Sequence, residues 1–297
     1  MKLLNITLLS AVALFAVTLN ASEFQYAKGR LDMKGGFIGL DSTIDADIST
    51  YTLTEKHKNI FSTTWYYHYD FTWYDSKKML NGQQNFNSTS SSLFGSDYNP
   101  TGNVPAINYR LQGLDANVVL GKDIYHKNKR TFFGLGLALG VSLPWIDSDK
   151  DSSNNNNNTD NTMKLMKKSK TQILTYKIGP SINASYAFNK YVMTYLNAMV
   201  TYQTGSIKNN YINTNSHTNG IFQEYDAGIK VQPFAKDFHK SFITLSPRIY
   251  ASVGWRYVSW KLTDIRLDVT GANVPIPKTD FNSHSSMGYF GIGYDFF

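Results

Sequence analysis

The chain has 297 residues, with 17% charged, 14% aromatic and no cysteine. That excludes a disulfide scaffold, a Cys-ligated zinc centre and a lipid-modified N-terminal cysteine. The formal charge of +7 comes from scattered Lys and Arg, with Lys167-Lys168 the nearest approach to a basic run, so the patch that nucleic-acid binding needs is missing. Mean hydropathy is −0.32. Composition alone favours a soluble β-sandwich, but a chain poor in charge, rich in aromatics and mildly polar also fits strands with one lipid-facing and one inward polar wall.

In chain order, Lys2 precedes an apolar run from Leu3 to Val17 and a small residue at Ala21. This predicts a cleaved signal peptide over 1–21 and export of a single domain, 22–297. The apolar run is too short for a comfortable spanning helix, and no later stretch approaches that length. Two strands are expected near 30–40 and 46–56, with weak alternation. From residue 60 onward the period is two. Over 61–74, Phe61, Trp65, Tyr67, Tyr69, Phe71 and Trp73 oppose Ser62, Thr64, His68, Asp70 and Thr72. Over 131–145, Phe133 to Trp145 alternate with Gly134, Gly136, Ala138, Gly140 and Ser142. Leu174 to Phe188 carries an apolar face against Thr175, Lys177, Gly179, Ser181, Asn183 and Ser185. Residues 221–232 and 243–257 repeat the pattern, the latter through Pro247. Pro180 and Pro247 predict bulges or kinks, since proline donates nothing to a ladder.

Such strands are longer than the five or six residues usual in globular sheets, and a tilted spanning strand needs about nine to eleven. Connections are expected to alternate: short near 56–59, 122–129, 189–190 and 236–240; long and polar near 77–103, 147–169, 206–219 and 264–281. That rhythm predicts an all-β, transmembrane, antiparallel up-and-down barrel of about ten strands, with eight and twelve left open.

The end of the chain, Gly288-Tyr289-Phe290-Gly291-Ile292-Gly293-Tyr294-Asp295-Phe296-Phe297, resembles the final strand of bacterial outer-membrane β-barrel proteins. The resemblance implies residence in the outer membrane of a Gram-negative bacterium. It also implies an assembly signal at Tyr294, Phe296 and Phe297 that the barrel-assembly machinery reads. It identifies an architecture, not an activity. Partners on this reading are outer-membrane lipid, the assembly machinery and small solutes, with no cofactor.

The alternation assigns Asp70, Asp115, Lys177, Glu224, Asp226, Lys230, Arg248 and Arg256 to the inward wall. Balanced charge in a narrow lumen predicts pairing, and a charged passage for solutes is the functional counterpart. Lys230 and Arg248 are expected at similar heights across a short turn. Hydrolase readings rest on Asp237-Phe238-His239, expected in a periplasmic turn on the wrong side, on Asp45-Ala46-Asp47, with no His close in sequence, or on His284-Ser285-Ser286, with no assignable third residue. The leading expectation is therefore no enzyme, a narrow channel or a structural barrel, with a membrane-embedded hydrolase or a loop-mediated adhesin as alternatives. His57, His68, His126, His217, His239 and His284 are isolated, so no metal site is expected. Trp65, Trp73, Trp145, Trp255 and Trp260 are assigned to strand ends or lipid faces.

Overall fold

In the computed structural model the described residues are 23–37, 40–59, 64–77, 79–80, 84–85, 103–104, 108–125, 130–148, 170–209, 214–234, 238–240, 243–245, 248–269, 272–275 and 281–294. The predicted signal segment, most of the asparagine-rich stretch and Phe296-Phe297 lie outside them.

Ten long strands follow one another: β1 (Glu23–Phe37), β2 (Leu40–Asn59), β3 (Trp65–Ser76), β4 (Asn108–Asp123), β5 (Thr131–Ser148), β6 (Lys170–Ala187), β7 (Val192–Asn209), β8 (Thr214–Val231), β9 (Ile249–Val269) and β10 (Phe281–Tyr294). Each pairs antiparallel with its chain neighbour, and β1 pairs with β10 from Glu23↔Gly293 to Gly35↔Phe281. The sheet therefore closes on itself. Closure leaves no edge, which is what lets strands cross a bilayer with every backbone group paired.

The side chains divide by parity. Even positions on β5 and odd positions on β6 turn into the lumen and are mostly buried, while Leu137, Leu139, Tyr176 and Ile178 are exposed outward. Large hydrophobics about half exposed recur outside nearly every strand, from Phe24 to Ile292. Buried positions include Asp70, Asp115, Lys177, Glu224 and Arg256. An apolar outside around a polar inside inverts the globular order.

Several expected boundaries move. The ladder between β7 and β8 continues to Asn209↔Thr214, so the connection is 210–213 and not the long loop expected over 206–219. Ala272–Pro275 folds back on the end of β9, shortening the loop expected over 264–281. The turn expected at 236–240 is instead a long connection, 232–248, holding a small hairpin of Phe238–Lys240 with Ile243–Leu245. The strand expected from 243 thus enters the barrel only at Ile249, after Pro247, where a ladder donor is again available. Pro180, by contrast, stays in register with Leu137, while the ladder on its β7 side breaks between Ser181 and Ile178.

Candidate functional site in the barrel lumen

Two polar layers with aromatic rings packed about them fill the lumen. At the end of the barrel where β1 begins and β10 ends, Glu23 accepts from Ser252 Oγ at 2.5 Å, Gln25 Nε2 at 2.7 Å and Tyr250 OH at 3.0 Å. Lys230 Nζ lies 3.2 Å from the same carboxylate and donates to Tyr250 OH at 3.1 Å. Glu23 is 2% exposed, and a carboxylate buried that far must be paired.

The middle layer centres on Arg256 of β9. Its guanidinium donates to Thr52 Oγ1 of β2 at 2.7 Å and to Gln25 Oε1 of β1 at 2.8 Å. It also lies 3.4 Å from Asp226 and 3.5 Å from Glu224, both on β8. Tyr289 OH donates to Asp226 at 2.8 Å. Asn117 of β4 bonds to Asp115 at 2.9 Å and to Asp70 and Glu224 at 3.4 Å each. Since β4 and β8 sit far apart around the ring, the Asn117–Glu224 contact crosses the lumen. Lys177 of β6 reaches Asp115 at 2.5 Å and lies 3.7 Å over the Phe222 ring. His68 Nε2 is 2.8 Å from Asp70.

Below and above this layer lie aromatic fillers. Tyr66, fully buried, meets Phe132 edge-on at 5.0 Å and accepts from Asn183 at 2.8 Å. Its ring occupies space left by glycines: a Cβ on Gly134 or Gly121 would lie 2.4 or 2.5 Å from it. Above, Trp260 packs on Tyr74 at 5.4 Å and Phe222 at 6.3 Å. Two of the cavities among the described residues lie against this layer. One, among Leu31, Ile48, Tyr74, Leu111, Trp260 and Met287, has a volume of about 50 Å³. The other, beside His68, Asn183 and Asn197, has room for little more than one water, about 10 Å³. Glu224 borders both.

Seven of the eight expected lumenal charges thus lie in these layers. Arg248 does not. It occupies an exposed turn position ahead of β9, because the strand begins after Pro247 rather than before it. Its expected height match with Lys230 is replaced by Lys230↔Ser252. Trp260 is also corrected: it is 8% exposed and faces inward. Of the expected assembly signal, only Tyr294 is described, as the last residue of β10.

Sequence reading missed Glu23, Gln25, Tyr66, Asn117 and Tyr289, and put Tyr250 on the inward wall of its strand without giving it a role. Tyr66 shares parity with His68 and Asp70, and Asn117 with Asp115, so a stricter count along each strand finds them. Glu23 and Gln25 escaped because β1 was not recognised before residue 30.

The hydrolase pairs fare differently. His284 faces outward, 3.1 Å from Asp32, while Ser285 faces inward and is buried. Ser286 shares the outer face but accepts from Trp255 Nε1 at 2.8 Å. Asp45 and Asp47 face outward and pair with Arg30 and Lys77. Among the described residues no group of three His, Cys, Asp or Glu could hold a metal.

A closed ten-stranded barrel with an apolar outer wall and a polar, filled lumen defines a transmembrane β-barrel of the bacterial outer-membrane class. No protein-family model matches the chain, and no curated sequence matches it. Solved structures similar to it include the outer membrane protease OmpT of Escherichia coli, at 8% identity and TM-score 0.46 over 94% of this chain and 98% of that one. The transport unit of the autotransporter AIDA-I of Escherichia coli has 12% identity and TM-score 0.35, over 93% and 90%. The translocator domain of NalP from Neisseria meningitidis has 9% and 0.34, over 99% and 97%. At that distance the likeness brings no activity with it.

Proposed function

We propose that this protein is an integral outer-membrane barrel closed to free solute passage, with both termini on the periplasmic side. On this reading the connections 78–107 and 149–169 lie on the cell surface. The supporting observation is the chain of contacts across the middle layer. It runs from Asp70 on β3 through Asn117 on β4 and Glu224 on β8 to Arg256 on β9, and on to Gln25 and Thr52. Barrels that are plainly aqueous have about sixteen strands or more, whereas the interior of one half that size is filled by side chains.

Conductance tests this. The purified barrel in a planar bilayer is expected to show no discrete openings at neutral pH. Stable openings in the wild-type protein would overturn the plug reading. A narrow gated channel is the second reading, favoured by one observation: Glu224 lines both cavities. Openings that appear only in Glu224→Ala would support it.

A further inference from the structure

The outer wall is not uniform around the barrel. On β5 every outward side chain from Phe133 to Trp145 is apolar. Twelve steps of about 3.4 Å tilted by about 40° rise roughly 30 Å, the full hydrocarbon depth. On β1 only Phe24 and Tyr26 are apolar before Lys28, Arg30, Asp32 and Lys34 take over the same face. Lys28 stands only about 13 Å above the start of its strand by the same rise. Around the seam where β1 meets β10 and β2, the apolar band therefore ends at half height.

The boundary there is stepped. Tyr26 pairs across the ladder with Tyr51 on β2 and Phe290 on β10, and the Tyr26 and Tyr51 rings lie 5.3 Å apart. One step higher, Lys28 and Trp255 flank Gly288 on either side. A Cβ built on Gly288 meets nothing within 4 Å, so the wall carries an open furrow there. At and above that level, among the described residues of β9, β10 and β1 to β3, stand five exposed outward cations, Lys28, Arg30, Lys34, Lys77 and Lys261, against four outward carboxylates, Asp32, Asp45, Asp47 and Asp75, the last paired with Arg110 of β4. Asp45 and Asp47 hold Arg30 and Lys77 at 2.7 and 3.0 Å, which fixes those two cations without neutralising the group.

We propose that this seam is a binding site for an anionic, phosphate-bearing bilayer lipid, its phosphate at Lys28 and Arg30 and an acyl chain in the Gly288 furrow over Tyr26 and Phe290. A cation facing hydrocarbon is costly unless it reaches a counter-charge, and long Lys and Arg side chains find one by extending to a headgroup. An anionic lipid supplies the missing charge and the missing apolar surface at once. A zwitterionic lipid brings its own cation and does not. The inference rests on the outer-membrane placement proposed above.

The test is native mass spectrometry of the full, detergent-solubilised barrel titrated with phosphatidic acid or with phosphatidylcholine of the same chains. Each cation near a lipid phosphate contributes about a fivefold preference, so two give about 25-fold. Phosphatidic acid is expected to bind one to one, about 25-fold tighter than phosphatidylcholine. Lys28→Gln with Arg30→Gln should abolish that preference. Gly288→Leu should weaken both lipids by filling the furrow. Lys122→Gln, which removes an exposed cation from β4, should change neither. Equal retention of the two lipids overturns the site, as does an equal loss in Lys122→Gln. A wild-type dimer that sheds lipid assigns the seam to a second copy instead and also overturns it. If the barrel inserts into vesicles but shows no lipid preference, the site alone falls. Failure to insert into any vesicle removes the membrane placement with it.

Discussion

Replacing Arg256 by Met keeps most of the side chain's length and removes its charge and every donor. The wild-type guanidinium is 2% exposed and touches Thr52, Gln25, Asp226 and Glu224, so solvent screening gives no discount. Removing one partner of a buried ionic group costs about 3–5 kcal/mol, because the carboxylates stay behind unpaired. At about 1.4 kcal/mol per decade, that lowers the folded-to-unfolded ratio by roughly two to three and a half orders of magnitude. Urea titration of folding into lipid vesicles, read by Trp fluorescence, measures it. Adding Asp226→Asn and Glu224→Gln to Arg256→Met should recover more than half of the loss, since the stranded charge is then gone. A loss below about 1 kcal/mol for Arg256→Met, or no recovery in the triple variant, refutes the view that these groups form one neutralised network.

Arg248→Ala should change unfolding by no more than about 0.5 kcal/mol, because the residue sits exposed outside the barrel wall; a larger loss in the same titration contradicts that placement. Gly134→Val sets branched carbon against the Tyr66 ring, which already lies 2.4 Å from a Cβ built there. It should cost about 1–3 kcal/mol as overpacking, with Tyr66→Leu in the same background giving part of it back in a thermal melt. Protease added to intact cells should cut within 149–169 and spare 124–130; the reverse pattern, mapped by mass spectrometry, means the barrel is inserted the other way up.

Architecture was legible where one wall of a strand faces lipid, since period-two alternation then survives along the whole strand. β5 and β6 show it plainly, and their registers agree with the expected faces. β1 was obscured for the reason developed above: its outward wall turns from Phe24 and Tyr26 to Lys28 and Arg30, so it lacks the apolar stripe that marks a spanning strand. The lumen was half legible. Charges could be assigned by parity, but their partners lie on strands distant in sequence, as Asn117 and Glu224 do at a separation of 107 residues. Nothing local signals such a contact. Trp260 misled, and Tyr66 and Tyr74 went unassigned, because inward aromatics look like outward ones in composition; only the glycines opposite, Gly121 and Gly134 for Tyr66 and Gly113 for Tyr74, hint at rings filling the bore.

The pairing of β1 with β10 joins residues some 270 positions apart, Glu23 with Gly293, so it closes the longest loop in the chain and is expected to form late. The same first strand supplies Glu23 and Gln25 to Lys230, Ser252 and Arg256. Until the ends meet, Arg256 lacks its Gln25 acceptor, and Lys230 and Ser252 face no carboxylate from β1. Completing the wall and completing its contents are therefore one event, and an assembly intermediate that has inserted nine strands holds an interior whose charges still require water. Such a species stays hydrated and leaky until the seam zips, which gives the cell a chemical difference between a finished barrel and an unfinished one.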